Sequence, residues 1–190
     1  MKRILVALAM FPLVAHAEEL SAGTFEVSGD SNLGFKTGSV KSNGGGSIDT
    51  TDFGLSATGL YYATQNVGVG LSLSYSNSSQ KEAGIEQGVS TFLLGPAIGL
   101  DFAVAPQFSI FGRGKLGYAS STFSGTGVSD VTASGFGFGL GAGVKYFPTR
   151  TLSFDAGIAY DWTKIEHDSS SVTTSGFGFN LGISVYLGAK

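Results

Sequence analysis

Apolar residues alternate with polar or small ones at a period of two, in eight separate runs along this chain. In the first run Phe25, Val27, Leu33 and Phe35 share one parity, with Glu26, Ser28, Asp30 and Asn32 on the other. The second sets Phe53, Leu55, Ala57 and Tyr61 against Gly54, Ser56 and Thr58, and the third Val67, Val69, Leu71, Leu73 and Tyr75 against Gly68, Gly70, Ser72 and Ser74. The fourth places Phe92, Leu94, Ile98, Leu100 and Phe102 opposite Gly95, Ala97, Gly99 and Asp101. The later runs repeat the scheme from Phe108 to Tyr118, Phe136 to Tyr146, Leu152 to Trp162 and Phe177 to Leu187. A helix would mix the two sets on every face within a few residues, so these are strands.

The connections alternate as well. Segments 37–50, 76–88, 119–133 and 163–174 are polar and rich in Ser, Thr, Gly and Asp, and are expected to be long loops. Between them the chain turns tightly at Thr64-Gln65-Asn66, Ala105-Pro106-Gln107 and Pro148-Thr149-Arg150. The hairpin from Ser134 (Ser-Gly-Phe-Gly-Phe-Gly-Leu-Gly) recurs from Ser175 with one Gly replaced by Asn180. An even number of hairpin-linked strands can close on itself and leave no free edge. The expected fold is therefore all-β: an eight-stranded antiparallel up-and-down barrel.

Alternation alone does not say which face meets lipid. The apolar parity, crowded with Phe and Leu, would overfill the interior of an eight-stranded barrel, whereas Gly, Ser and Ala fit there. The runs reach about ten residues, enough for a tilted strand to cross a hydrocarbon layer about 30 Å thick. Tyr61, Tyr75, Tyr118, Tyr146, Tyr160 and Trp162 lie near run ends, where interfacial aromatic girdles belong; Tyr62 and Tyr186 have the opposite, inward parity. These features specify a transmembrane barrel. Long loops on one side and short turns on the other match outer-membrane barrels with periplasmic turns, and the long first connection puts both termini in the periplasm.

The first residues carry export grammar. Lys2 and Arg3 precede the apolar run Ile4–Val14, and Ala15-His16-Ala17 is a small-x-small cleavage site. The run is too short for a membrane helix, so residues 1–17 are expected to be a signal peptide cleaved after Ala17, leaving 18–190 as one barrel domain. Cleavage leaves nine basic against fourteen acidic side chains, a net charge of −5 with no basic run, which argues against nucleic acid as a partner. There are no cysteines, which excludes thiolate chemistry and disulfides. The 30 glycines do not signal disorder, because 12% of residues are aromatic.

Charges of inward parity are the candidate site residues: Glu26, Asp30, Lys36, Asp101, Arg113, Lys115, Lys145, Asp155 and Asp161. An unpaired charge in so narrow a lumen is costly, so these are expected to form a salt-bridge network that plugs the barrel. Arg113 lies between the strand bearing Asp101 and the strand bearing Lys145, and Lys145 is one short turn from Asp155.

Three segments resemble a known family: Asn66-Val-Gly-Val-Gly-Leu-Ser-Leu-Ser-Tyr75, Phe92-Leu-Leu-Gly-Pro-Ala-Ile-Gly-Leu-Asp-Phe102 and the closing Gly-Phe-Gly-Phe strands. They look like the outer-membrane β-barrel domain family, whose relatives include opacity-type adhesins and the membrane domain of outer-membrane protein A. The resemblance covers essentially all of 18–190 and implies a structural or adhesin-like role at the cell surface. It also implies contact with outer-membrane lipids and lipopolysaccharide, and surface loops at 37–50, 76–88, 119–133 and 163–174 that could carry a ligand. The last strand, Asn180-Leu-Gly-Ile-Ser-Val-Tyr-Leu187, resembles the signal read by the barrel-assembly machinery.

Other chemistry finds little support. His167-Asp168-Ser169 is similar to the His-x-Ser of a lipid-modifying barrel, but no acid follows Asp168 to complete a triad. Gly112-Arg-Gly-Lys-Leu-Gly117 matches a dinucleotide fingerprint, yet lies inside an alternating strand where no helix can meet a pyrophosphate. Asp49, Asp52, Glu82 and Glu86 are expected in outer loops and fit no calcium-loop spacing. No catalytic residue, metal site or cofactor is expected. A narrow channel for ions or small solutes is the alternative reading, and a lipid-modifying enzyme the third.

Overall fold

The computed structural model describes residues 20–41, 46–82, 85–125, 128–167 and 170–188, with side chains described for these except 35–51, 79–87, 125–130 and 167–170. Its strands are β1 (Phe25–Lys41), β2 (Gly46–Tyr62), β3 (Val67–Glu82), β4 (Ile85–Ala105), β5 (Phe108–Gly125), β6 (Val128–Thr149), β7 (Leu152–His167) and β8 (Ser170–Leu187). Each pairs antiparallel with its sequence neighbour, and β1 pairs with β8, from Phe25↔Leu187 to Lys41↔Ser171. The sheet is a closed barrel. Among the described residues no helix is long and apolar enough to cross a membrane.

Parity sorts the side chains as the period-two pattern requires. Leu71, Leu116, Leu140, Phe177, Phe179 and Leu181 are each more than half exposed on the outer face. In water that surface would strongly favour association, so it needs lipid. Its apolar runs, such as 67–75 on β3, 108–118 on β5 and 177–187 on β8, span about nine to eleven residues, the length of a tilted bilayer crossing.

The strands themselves are 16 to 22 residues long, and that corrects the expected loops. Pairing continues through most of 37–50, 76–88, 119–133 and 163–174, leaving connectors 42–45, 83–84, 126–127 and 168–169 outside the described residues. Those segments are Ser- and Thr-rich because their strands project past the lipid into water, where the outer face needs no apolar side chain. Loss of apolar patterning marks the end of the hydrocarbon layer and not the end of the strand. The short turns stand at 63–66, 106–107 and 150–151, within one or two residues of the expected positions, and β1 begins and β8 ends at that rim.

The N-terminal segment adds a feature that alternation cannot show. Leu20 is buried with Leu60, Tyr62, Ala97, Phe147 and Tyr186 at the short-turn end. Gly23 turns the chain there with φ +93°, a conformation that favours glycine, and its N–H donates to the Tyr62 carbonyl at 2.9 Å. Tyr62 N–H in turn donates to the Thr24 carbonyl at 2.9 Å, so the segment is tied to β2 before β1 begins.

Candidate functional site in the barrel lumen

Four of the inward charges meet near the short-turn end. Arg113 on β5 spreads its guanidinium between two carboxylates, with Nη2 at 2.6 Å from Glu26 Oε1 and Nη1 at 2.8 Å from Asp101 Oδ2. Lys145 on β6 is fully buried and lies 3.1 Å from Glu26 Oε1 and 2.9 Å from Asp101 Oδ1. Two acids and two bases thus form a neutral quartet. Because β1 stands across the barrel from β5, the Glu26 bridges cross the lumen and do not run along one wall.

Two tyrosines complete the quartet. The Tyr62 hydroxyl donates to Glu26 Oε2 at 2.7 Å and contacts Asp101 Oδ2. Lys145 Nζ donates to the Tyr186 hydroxyl at 2.6 Å, and Ser184 Oγ, whose proton goes to Asp155, lies 3.0 Å from Glu26 Oε1. Buried charges that keep both partners and hydrogen bonds are tolerated; stripped of either they cost several kcal/mol. The inward parity of Tyr62 and Tyr186, an exception to the girdle, was the sequence signal for this role. Ser184 and Ser153 carried no such signal, since hydroxyls line the whole interior.

The other inward charges are placed differently. Asp155 faces Lys145 in the β6–β7 register and accepts hydrogen bonds from Ser153 Oγ at 2.6 Å and from Ser184 Oγ. Asp30 accepts from Ser56 Oγ at 3.3 Å. Lys115 and Asp161 pair at 3.0 Å farther from the short turns, with Ser74 Oγ 3.0 Å from the same ammonium. Lys36 is on β1 opposite Thr50 and Gly176, but its side chain lies outside the described residues.

Inward glycines make the room these groups occupy. A Cβ on Gly139 would collide with Lys115 and Asp161, one on Gly99 with Arg113, and one on Gly182 with Asp30. Glycine on this parity is therefore the complement of long charged side chains reaching across a narrow interior.

Beyond the Lys115–Asp161 pair the lumen widens to a cavity of about 300 Å³. Asn32 and Asn180 join at its lower edge, Nδ2 to Oδ1 at 2.7 Å. One wall is apolar: Leu93 and Ile165 are buried with Ala119 and Ala133, and Phe123 packs against them.

Several expected placements need correction or fall outside the description. Asp52 is not in an outer loop; it is buried on β2 with inward parity. Asp49, Glu82 and Glu86 also lie in strands, their side chains outside the described residues. Gly112–Gly117 is an interior stretch of β5, paired throughout with β6 and up to Lys115 with β4, so it opens no helix. His167 ends β7 opposite Ser170, with its side chain and residues 168–169 outside the described residues. Among the described residues no group of three metal-ligating side chains converges.

Solved structures with the same architecture are distant in sequence. Neisserial surface protein A is 20% identical, with TM-score 0.58, covering 86% of this chain and 98% of that one. Outer membrane protein OprG from Pseudomonas aeruginosa is 18% identical, with TM-score 0.51, covering 92% and 100%. Outer membrane protein AlkL, solved in lipid bilayers, is 13% identical, with TM-score 0.53, covering 91% and 95%. At these identities the likeness is one of fold. No curated protein matches the sequence. The outer membrane protein beta-barrel domain family model matches residues 4–184, nearly the whole length. The chain belongs to that family, as an eight-stranded barrel of the bacterial outer membrane.

Proposed function

We propose that this protein is a closed outer-membrane scaffold whose lumen is sealed at the periplasmic end, with its projecting hairpins serving structural or adhesin-like contacts at the cell surface. The observation that carries this reading is the quartet of Glu26, Asp101, Arg113 and Lys145, which bridges opposite walls near the short-turn end. Leu20, Tyr62, Phe147 and Tyr186 fill the space around it. In this orientation residues 1–17 are the cleaved export signal, the short turns and both termini face the periplasm, and the last strand is what the assembly machinery engages. The outer face meets lipid and lipopolysaccharide, and the polar ends of the hairpins stand in water, where a surface partner would meet them.

The outer cavity favours one competing reading, a narrow conduit for ions or small solutes. Planar-bilayer recording separates the two. The sealed scaffold gives a silent bilayer at physiological salt; steady, salt-dependent unitary currents would overturn it in favour of the conduit.

A further inference from the structure

The outer half of the lumen is built differently from the inner half. Near the short turns, charges, tyrosines and hydroxyls bond to one another across the barrel, with Leu60 and Phe147 packed beside them. Inward positions farther out carry Leu93, Phe123 and Ile165, large apolar groups turned against the general rule that the lumen face is small or polar. Val89 and Val172 extend this apolar wall, which spans β4, β5, β7 and β8. The facing wall, on β1 to β3, presents Asn32, Ser56, Ser74 and Ser76 to the same space. The cavity between them is about 300 Å³, at the lower end of small-ligand pockets.

We infer that this cavity is a binding pocket for a small uncharged amphiphile, entered from the outer end and closed at its base. Its base is the Lys115–Asp161 pair, each side chain about one-quarter exposed. Both charges are already matched to each other, and Asp52 in the wall also has its own partner. A charged headgroup would have to break a pair or be buried without a counter-ion, whereas a hydroxyl or carbonyl can share hydrogen bonds with Lys115, Ser74 and Asn32 at no such cost. An alkyl chain laid along Val89, Phe123 and Val172, the partly exposed members of this wall, would remove their apolar surface from water. A volume near 300 Å³ corresponds to about ten water molecules, hence a ligand of about ten non-hydrogen atoms.

The pocket is tested by titrating 1,2-octanediol into the full-length mature protein in lipid nanodiscs, with methyl-labelled Leu, Ile and Val observed by NMR. The expected result is saturable shifts at Leu93, Ile165 and Val172, with lipid-facing Leu71 and Leu181 unmoved. Thr163→Phe, which fills the cavity from β7, should weaken the titration by about tenfold or more, ~1.4 kcal/mol. If that variant fails to fold, Ser76→Phe from the opposite wall takes its place. Linear, non-saturating shifts shared by lipid-facing methyls would mean partition into the bilayer and overturn the proposal, as would undiminished binding in a folded, filled variant. Conductance is a separate measurement: an open channel would defeat the seal and leave this titration to stand or fall by itself.

Discussion

Arg113 is the side chain on which the lumen depends most. It holds Glu26 and Asp101 at once through two nitrogens of one rigid fork. Arg113→Ala leaves Lys145 alone against two buried carboxylates and should cost about 3 kcal/mol or more. Arg113→Lys keeps the charge but cannot span both acids in that geometry, and should fall between the two. Urea unfolding of the barrel in lipid vesicles reads this order directly; an Arg113→Ala midpoint equal to the parent would show that the pairs do not stabilise the fold. At this scale the sequence showed which residues point inward, because parity depends on the local backbone alone. It could not show that Glu26 meets Arg113, 87 positions away, because that depends on how the barrel closes. It also treated Tyr62 and Tyr186 as blemishes in a girdle, when their hydroxyls are partners of the buried charges.

The strands carry two lengths superimposed: an apolar outer run that matches the bilayer, and a longer hydrogen-bonded ladder. The first was legible and the second was not. Sequence patterning reports the solvent outside each residue, so a strand entering water resembles a loop, particularly when Ser and Thr replace Phe and Leu. β3 shows the point: Val69, Leu71, Leu73 and Tyr75 face outward, then Asn77 takes the same parity while pairing with β4 continues to Glu82↔Ile85. The cost of an arginine on the outer face should follow the same boundary. Leu181→Arg, in the middle of the apolar run of β8, should destabilise the barrel by about 2–4 kcal/mol, and Asn77→Arg by under about 1 kcal/mol. Vesicle unfolding of the two variants measures the difference; equal penalties would place Asn77 inside the hydrocarbon layer and move its boundary outward.

At the scale of the whole barrel, closure and filling have different origins, and neither is uniform along the axis. Every strand is paired on both sides, but at the outer end β2–β3 pairing stops at Asp52↔Ser78 and β6–β7 pairing at Ser134↔Glu166, so the ladders there are less completely bonded. The contents of the lumen sharpen that difference. The short-turn end is tied across by the quartet, by the Tyr62 and Tyr186 hydroxyls and by the Leu20–Thr24 segment bonded to β2. The opposite end encloses a cavity beyond the Lys115–Asp161 pair and projects ladders into water without lipid around them. Local opening requires few packed contacts and ready access of water to the backbone, and the outer end offers both. Amide hydrogen exchange in nanodiscs should therefore be asymmetric between two regions that both border water. Amides at 76–78 and 173–175 should exchange at least about tenfold faster than those at 26–28 and 184–186, a gap of ~1.4 kcal/mol in opening free energy. Lipid protects the strand centres in either case, so the comparison is between the two ends of the barrel. Equal rates at the two ends would mean that the cross-lumen pairs do not restrain the barrel. A reversed order would mean that the projecting hairpins are its rigid part.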